Sequence, residues 1–329
     1  MNPEEVRTIQ ENENNHKMKL GIIGSGFVGA TAAYAIMLKG GASEIVLIDK
    51  NKERAEAEAA DIRHASPFVH HVKVYAGDYA DLKNATMVII TAGISQKPGQ
   101  TRLELLNQNA AILRDIMDHV IHYAKESLIL VATNPVDIMT HIASKYAQDK
   151  GLDAKKVIGT GTTLDTARFR SLLGDHLGVD PAHVHGYVIG EHGDSEVLTW
   201  SIIDIGGLPL EEFASLRGVE MGQKERDIID DQVRHAAYHI IQGKGSTYYG
   251  VGGAISRIVD IIEHDHRAFI TICAPVEEIV GVKNVTLSLP HLVGGKGVMA
   301  QLPFKLSPDE TKALKNSAQI LKEQIENMG

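Results

Sequence analysis

The stretch KLGIIGSGFVGATAAYAI, residues 19–36, constrains the fold more than any other part of the chain. KLGII has the length and aliphatic content of a buried strand, and residues 27 to 39 keep a helical pattern. Between them Gly24, Gly26 and Gly29 stand in GxGxxG spacing. Glycines so placed let the chain turn tightly out of a strand, bring backbone close to a pyrophosphate, and let the helix pack tightly. The helix N-terminus adds N–H donors and a positive dipole end. A second apolar run, EIVLI, is closed by Asp49, twenty residues beyond Gly29. A carboxylate there can accept hydrogen bonds from an adenine ribose and repel a 2′-phosphate. The unit predicts a site for NAD rather than NADP, with Lys50 and Lys52 as the nearby cations that weaken this preference. The candidate cofactor-binding residues are Gly24, Gly26, Phe27, Val28, Gly29 and Asp49, together with Thr91, Gly93 and Asn134 from later strand ends.

The same rhythm continues. A helical stretch at 51–64, the run ATMVII, a helical stretch at 103–123 and the run SLILVA follow in turn. Short β-rich runs separated by amphipathic helices predict an α/β, doubly wound parallel sheet of Rossmann type over residues 18–160. Beyond residue 160 the pattern changes to longer helices at 161–177, 224–242 and 246–262, then apolar runs from 268 to 303. PHLVGGKGVMAQLPF reads as two strands turning at Gly294 and Gly295, so residues 161–329 predict an α+β substrate domain with a mixed or antiparallel sheet. Its last helix opens on SPDE, a capping box of Ser307 and Glu310 with Pro308 in the first turn. Leu314, Ala318, Leu321 and Ile325 keep one face of it apolar. Two domains suit a chain of 329 residues, and no Pro- or Ser-rich linker separates them, so they are expected to join tightly. Residues 1–17 read as an N-terminal arm or tail.

Composition removes several function classes. With 33 basic against 42 acidic residues the net charge is −9, which argues against nucleic-acid and anionic-membrane partners. The one cysteine, Cys273, lies in the apolar run AFITICAPV and reads as a core residue, so no internal disulfide forms and a reducing, cytoplasmic setting is expected. No apolar stretch reaches the length of a membrane span.

Chemistry-bearing residues fall in five segments. In GTGTTLDTARFRSLL, Asp165 and Arg168 are three apart and share a helix face, while Arg170 is turned about 200° from Arg168. In VIITAGISQKPGQTR a strand runs into a loop holding Gln96, Lys97 and Arg102, shaped like a lid by Gly93, Pro98 and Gly99. LILVATNPVD ends its strand at Asn134. GEHGDSE places His192 among Glu191 and Asp194. HVHG puts His183 and His185 on one face of a predicted strand, so a metal-dependent hydrolase built from His183, His185, His192 and Asp194 is the rival from another class. No HExxH spacing supports it, and no metal is expected. A non-catalytic dinucleotide-binding module is the other rival, but it has no use for Asp165, Arg168, His192 and Arg102 together. IIEHDHR, 261–267, reads as a solvated helix end or turn.

GSGFVG, TAGISQKPGQTRLELL, ATNPVD, GTGTTLDTARFR, GEHGDSE and GKGSTYYG together resemble, in order and spacing, the NAD-dependent L-lactate and malate dehydrogenases, most closely the bacterial L-lactate dehydrogenases. The resemblance runs from about residue 18 to the C-terminus. It implies His192 as general acid and base, Asp165 as the partner that holds the imidazolium, and Arg102 as the group that polarises the substrate carbonyl. It further implies Arg168 as a bidentate clamp on the substrate carboxylate, Asn134 as a substrate- and cofactor-orienting residue, and Thr247 as a pocket residue. Gln96 takes the position that reads the substrate side chain. The malate enzymes resemble this pattern with an arginine there, so Gln96 implies pyruvate and L-lactate. Closing a second carboxylate into the site without a cation would be costly, and Lys97 is the one residue that softens this point. Malate dehydrogenase, or another L-2-hydroxy acid dehydrogenase, is the runner-up. Arg170 and His185 match positions that bind fructose 1,6-bisphosphate between subunits in the responsive bacterial enzymes, and the family implies a homotetramer. The segment SKYAQDKGLDAKKV is a little longer than the family pattern, and residues 205–224 match it loosely.

Overall fold

The computed structural model describes residues 18–69, 71–94 and 102–327, with Arg102 described by its backbone only. The strands are β1 (Lys19–Ile23), β2 (Glu44–Ile48), β3 (Lys73–Ala76), β4 (Met87–Ile90), β5 (Leu128–Val131), β6 (Val157–Gly159), β7 (Val184–His185), β8 (Val188–Ile189), β9 (Val197–Leu198), β10 (Asp204–Ile205), β11 (Leu208–Pro209), β12 (Ala268–Ile279), β13 (Val282–Gly294) and β14 (Gly297–Gln301). The helices are α1 (Phe27–Lys39), α2 (Lys52–His64), α3 (Arg102–Tyr123), α4 (Val136–Asp149), α5 (Thr163–Leu177), α6 (Leu210–Arg217), α7 (Gln223–Arg234), α8 (Ala236–Lys244), α9 (Tyr249–Glu263) and α10 (Pro308–Glu326).

The main sheet has nine strands in the order β14-β13-β12-β6-β5-β4-β1-β2-β3. From β3 to β6 all pairs are parallel, and β1 lies between β2 and β4, with Ile23 opposite both Ile48 and Ile90. Connections leave β1 in opposite directions along the sheet, which opens a crevice at the carboxyl ends of β1 and β4, the usual ligand position of a doubly wound sheet. These strands are buried on both faces, so they read as continuous apolar runs. Ile45 and Leu47 pack into one layer while Val46 and Ile48 pack into the other, as a period of two requires. Each such fully buried side chain contributes about 1.5–3 kcal/mol relative to exposure.

The second half does not build a separate large sheet. β12 joins β6 antiparallel through Cys273 and Gly159, and the β12–β13–β14 meander extends the parallel sheet from there. Cys273 is buried at this seam. Two small sheets, β11-β10-β7 and β8-β9, lie apart, with a third apolar cluster around Phe169 of α5. The capping box of α10 forms: Ser307 Oγ accepts from the Glu310 N–H at 3.2 Å, and Glu310 Oε2 accepts from the Ser307 N–H at 2.9 Å. Among the described residues no helix is long and apolar enough to cross a membrane.

Three local expectations change. The helix expected at 224–242 breaks at His235 into α7 and α8; the pattern QVRHAAYHII stays helical across the break, so spacing could not reveal it. β3 and β6 carry no run long enough to announce a strand, and both form by pairing against longer neighbours. His183 ends a 3-10 turn, Pro181–His183, rather than sharing a strand face with His185.

Candidate active site

At the end of β1 the backbone turns at Gly24, whose φ of 105° belongs to the left-handed region. A Cβ there would lie 2.6 Å from the Ala92 nitrogen, and one on Gly29 would lie 1.9 Å from the Gly24 carbonyl oxygen. Gly26 differs, because a Cβ on it would meet nothing within 4 Å. Glycine is thus demanded by the protein itself at 24 and 29, and faces open space at 26. Asp49 closes the loop from below: its Oδ2 accepts from the Ser25 N–H at 2.6 Å and its Oδ1 from the Asn51 N–H at 2.8 Å. Lys52 is committed to Asp78 at 2.8 Å, which removes much of its pull on an anion beside Asp49. Thr91 donates to the Gly24 carbonyl at 2.8 Å, and Thr133 to the Ala92 carbonyl at 2.7 Å. Phe27 is exposed and stacks on Tyr248, with ring centroids 5.1 Å apart, so the start of α1 touches the link that carries Thr247 between α8 and α9.

A second set of groups lies beyond the end of β5. GEHGDSE is the loop of a tight antiparallel hairpin, with Ile189 of β8 opposite Val197 of β9. Gly190, at φ 91°, exchanges two backbone hydrogen bonds with Ser288 of β13, which pins the loop to the sheet. From it His192 directs Nδ1 to Asp165 Oδ2 at 2.6 Å, while Asp165 Oδ1 accepts from Arg168 Nη1 at 2.7 Å. One buried carboxylate therefore serves an imidazole and a guanidinium at once. α5 is fixed for this task at its first turn: the Thr162 N–H donates to Ser288 Oγ at 3.1 Å, and Thr162 Oγ1 to the Val188 carbonyl at 2.5 Å.

The charges respond to this geometry. Burial alone would lower the pKa of His192, but the charge and hydrogen bond of Asp165 outweigh it and push the imidazole up to about 9, with smaller help from Asp137 and Glu196. Burial also opposes ionisation of Asp165, yet the imidazolium and Arg168 hold its carboxyl below the ordinary range. The ring keeps a 28% exposed side chain, so one edge remains accessible.

Several groups that shape the site were not legible as such. Asp137, in the first turn of α4, accepts the His192 backbone N–H at 2.8 Å, and burial pushes its pKa up to about 6. Asn134 sits three residues before it, at the end of β5, its Oδ1 accepting from the Val136 N–H at 3.3 Å. Asn109 of α3 holds the exit from β4 by accepting the Ile94 N–H at 2.9 Å. Glu191 and Asp194, which had no role on sequence grounds, brace the hairpin: Ser195 donates to Glu191 at 2.5 Å and Tyr238 to Asp194 at 3.1 Å. Arg234 of α7 donates to the carbonyls of Asp194 and Glu196. Glu196 is 4% exposed, and its Oε1 has no hydrogen-bond partner. Burial first, and then the nearby charge of Asp165, push its pKa up to about 8.

The metal site considered from His183, His185, His192 and Asp194 does not assemble. Among the described residues His192 converges with Asp165 and Glu196, and the other three expected ligands join no such group. Asp165 is already shared with Arg168, a cation that disfavours a second one. Arg170, on another face of α5, bonds the Gly186 carbonyl at 2.9 Å and lies over Tyr187, beside exposed His185. Gln96 and Lys97 lie outside the described residues, as does the side chain of Arg102, whose backbone opens α3.

Residues 18–159 match the family model of the lactate/malate dehydrogenase NAD binding domain, and residues 162–329 that of the lactate/malate dehydrogenase alpha/beta C-terminal domain. The chain belongs to the lactate/malate dehydrogenase family. Among the similar members, an L-lactate dehydrogenase of Geotalea daltonii is 52% identical over 94% of this chain and 99% of its own length. One of Thermus aquaticus is 49% identical over 93% of this chain and 97% of its own. The crystal structure of the minor L-lactate dehydrogenase from Enterococcus mundtii, in its ligands-bound form, superposes with a TM-score of 0.90 at 39% identity, covering 95% of this chain and 99% of that one.

The family's cofactor is NAD, and the residues present fit it. Gly26 faces open space where a pyrophosphate can lie, Ser25 holds a buried hydroxyl without a partner, and the Asp49 carboxylate retains lone pairs for ribose hydroxyls. A chain of contacts links the crevice to the Asp165–His192–Arg168 group. Gly24 bonds Thr91, Thr133 holds the Ala92 carbonyl, and Asn134 and Asp137 follow on the same β5–α4 turn, with Asp137 gripping His192.

Proposed function

We propose that the protein is an L-lactate dehydrogenase, interconverting pyruvate and L-lactate with NADH and NAD. The observation that carries this reading is the single buried carboxylate of Asp165, bonded to both His192 and Arg168. Arg168 spends one N–H on Asp165 and offers the rest of its planar fork to the substrate carboxylate. His192 spends Nδ1 on Asp165, which leaves Nε2 to give a proton to the carbonyl oxygen of the 2-oxo acid or to take it from the hydroxyl of the product. Because Asp165 keeps the imidazole charged at neutral pH, the free enzyme is set for proton donation. A dinucleotide held by the glycine loop and Asp49 would supply the hydride donor for reduction and the hydride acceptor for oxidation. Arg102, the first residue of α3, polarises the carbonyl, Asn134 orients substrate and cofactor, and Thr247 lines the pocket. In the cofactor site Gly24, Gly26, Phe27, Val28, Gly29, Asp49, Thr91 and Gly93 form the contacts.

Pyruvate is favoured over oxaloacetate because Gln96 brings no cation for a second carboxylate. Steady-state rates with pyruvate, oxaloacetate and a branched 2-oxo acid test this: pyruvate should give the highest kcat/KM, and a higher value for oxaloacetate overturns the assignment. We place the boundary between the cofactor and substrate domains at 160/161; residues 1–17, read as an arm or tail, lie outside the described residues.

Arg170 and His185 bind fructose 1,6-bisphosphate at a subunit interface of a homotetramer. Support comes from their nearness through Gly186 and from a second arginine, Arg257, that lines the same pocket as Arg170. Exposed Phe68, Leu216 and Tyr249 support assembly. The sugar bisphosphate should lower the apparent KM for pyruvate in the native protein and not in Arg170→Gln, and light scattering should give four chains per particle. The single, buried, free cysteine supports a cytoplasmic location.

A further inference from the structure

The described residues hold one other place where imidazoles converge on a carboxylate, at the C-terminal end of α9. Asp260 and His264 are four residues apart, with His264 Nδ1 3.2 Å from Asp260 Oδ1 and 3.1 Å from the Asp260 carbonyl oxygen, so an ion bound at Nδ1 replaces the proton that this nitrogen shares with them. The chain then leaves the helix through two residues in the left-handed region, Asp265 at φ 47° and Arg267 at φ 50°. That turn folds His266 back, so that its Nε2 lies 3.6 Å from the same Asp260 Oδ1. One ligand atom from each residue falls within 4.8 Å of the other two.

These separations have a chemical meaning. Nitrogen and oxygen ligands bonded to zinc at about 2.0–2.1 Å in a tetrahedron stand about 3.3 Å from each other. The two measured edges bracket that value before any ion is bound. The other oxygen of Asp260 accepts from Arg257 Nη1 at 2.6 Å, which orients the carboxylate and leaves Oδ1 directed at the imidazoles. The remaining charges on this turn are paired with each other: Arg267 bonds Asp265 at 3.0 Å, and Asp265 also accepts the Gly295 N–H from the β13–β14 turn. A cation is further favoured by the carbonyl end of the α9 dipole. The imidazoles are 42% and 45% exposed, so an ion has free entry and water can complete its shell.

We propose that Asp260, His264 and His266 form a binding site for a divalent transition-metal ion of the zinc class, separate from the dehydrogenase site. Imidazole and carboxylate ligands in this number suit zinc, whose fourth position is filled by water. The ion would staple the end of α9 to the turn that enters β12. α9 packs closely on α1, where a Cβ on Gly252 would lie 2.7 Å from Thr31, so the staple braces the seam between the two halves of the chain.

The full chain, free of any histidine tag and stripped with chelator, is titrated with zinc chloride by calorimetry and followed by thermal unfolding. The expected result is one zinc per chain and a Tm raised by a few degrees, since a ligand of the folded state stabilises it. The double variant His264→Ala/His266→Ala should bind zinc at least tenfold more weakly and lose the Tm rise, while its rate with pyruvate stays that of the wild type. His192→Ala should bind zinc as the wild type does, which separates this site from the cluster at Asp165. Fewer than one zinc per chain, or equal binding by the double variant, overturns the proposal.

Discussion

The glycine loop after β1 and the hairpin loop after β8 are both short, both built around glycine, and both face the same crevice, yet they are constructed on different principles. Nearly everything that shapes the first is local: Gly24, Gly26 and Gly29 lie within six residues, and Ile48, Asp49, Thr91 and Ala92 reach in from the two strands beside β1. The second is assembled from distance. His192 takes its shape and charge from Asp137, Asp165 and Glu196, while the loop around it is tied down by Arg234, Ser288 and Ser317. A backbone cradle for an anion can be specified by one turn. A charged pair tuned away from water needs walls, and walls come from many elements.

The largest expected effect therefore comes from cutting the assembled site at its shared carboxylate. Asp165→Asn keeps the shape but removes the charge that holds His192 protonated and weakens the hold on Arg168. The rate with pyruvate should fall by roughly 10²–10⁴-fold, the range for losing a positioned acid. The alkaline limb of kcat/KM, expected near pH 9 in the wild type from the His192 pKa of about 9, should move to lower pH. The linkage sign follows the same shift. A histidine whose folded pKa is raised from 6.5 to about 9 stabilises the fold fully below pH 6.5, and that contribution is lost as pH rises through 9. The stability gap between wild type and variant should close over that window. A limb that stays in place would mean that Asp165 does not set the charge of His192.

At the local loop the same logic predicts a separation that the hairpin cannot show. Gly29→Ala forces a Cβ to within 1.9 Å of a backbone oxygen, so both Tm and NADH affinity should drop. Gly26→Ala adds a methyl group to open space, so Tm should hold within about 0.5 kcal/mol of wild-type stability, as for an unstrained surface change, while NADH affinity drops about tenfold or more. Fluorescence titration with NADH beside thermal unfolding checks both. If Gly26→Ala loses stability and keeps affinity, the space beside it is not where the pyrophosphate lies.

How much could be read from the sequence follows the same division. The parallel strands β1, β2, β4 and β5 and their helices were legible because burial on both faces writes an unbroken apolar run and each helix has its own period. Asp165 and Arg168 were legible as a pair because a helix fixes what lies three residues apart. Their meeting with His192, 27 residues away, was available only through family resemblance, since no spacing rule reaches across β7, β8 and a hairpin. Asp137, Asn109, Arg234 and Glu196 were missed for one reason: each acts through a contact made by packing. Asp137 stands in ATNPVD and Glu196 in GEHGDSE, so the residues were in view and only their partners were not. The joining of β12 to β6 was equally hidden, because Cys273 looks the same whether its strand starts a new sheet or extends an old one.

The smallest predicted effect tests how far the assembled wall acts through charge alone. Glu196 is buried beside the Asp165–His192 pair, with one oxygen unpartnered and a pKa pushed up to about 8, so at neutral pH it is a neutral acid. Glu196→Gln preserves that shape and neutrality, and the rate with pyruvate at pH 7 should change by less than about twofold, below 0.5 kcal/mol. Above pH 8 the two proteins part. The wild type gains a negative charge that helps His192 keep its proton, and the variant does not, so its alkaline limb should fall at lower pH than the wild type's, by less than the Asp165→Asn shift. The pH slope of stability has the same sign as for the histidine, because both pKa values are raised and the folded state holds the extra proton. A carboxyl raised from 4.5 to about 8 favours the fold least once it must ionise, so the variant's Tm should rise relative to the wild type as pH climbs through that interval. Parallel Tm curves with coincident pH–rate profiles would show that Glu196 fills space without touching the electrostatics of the pair, leaving Asp165 and Asp137 as the carboxylates that tune His192.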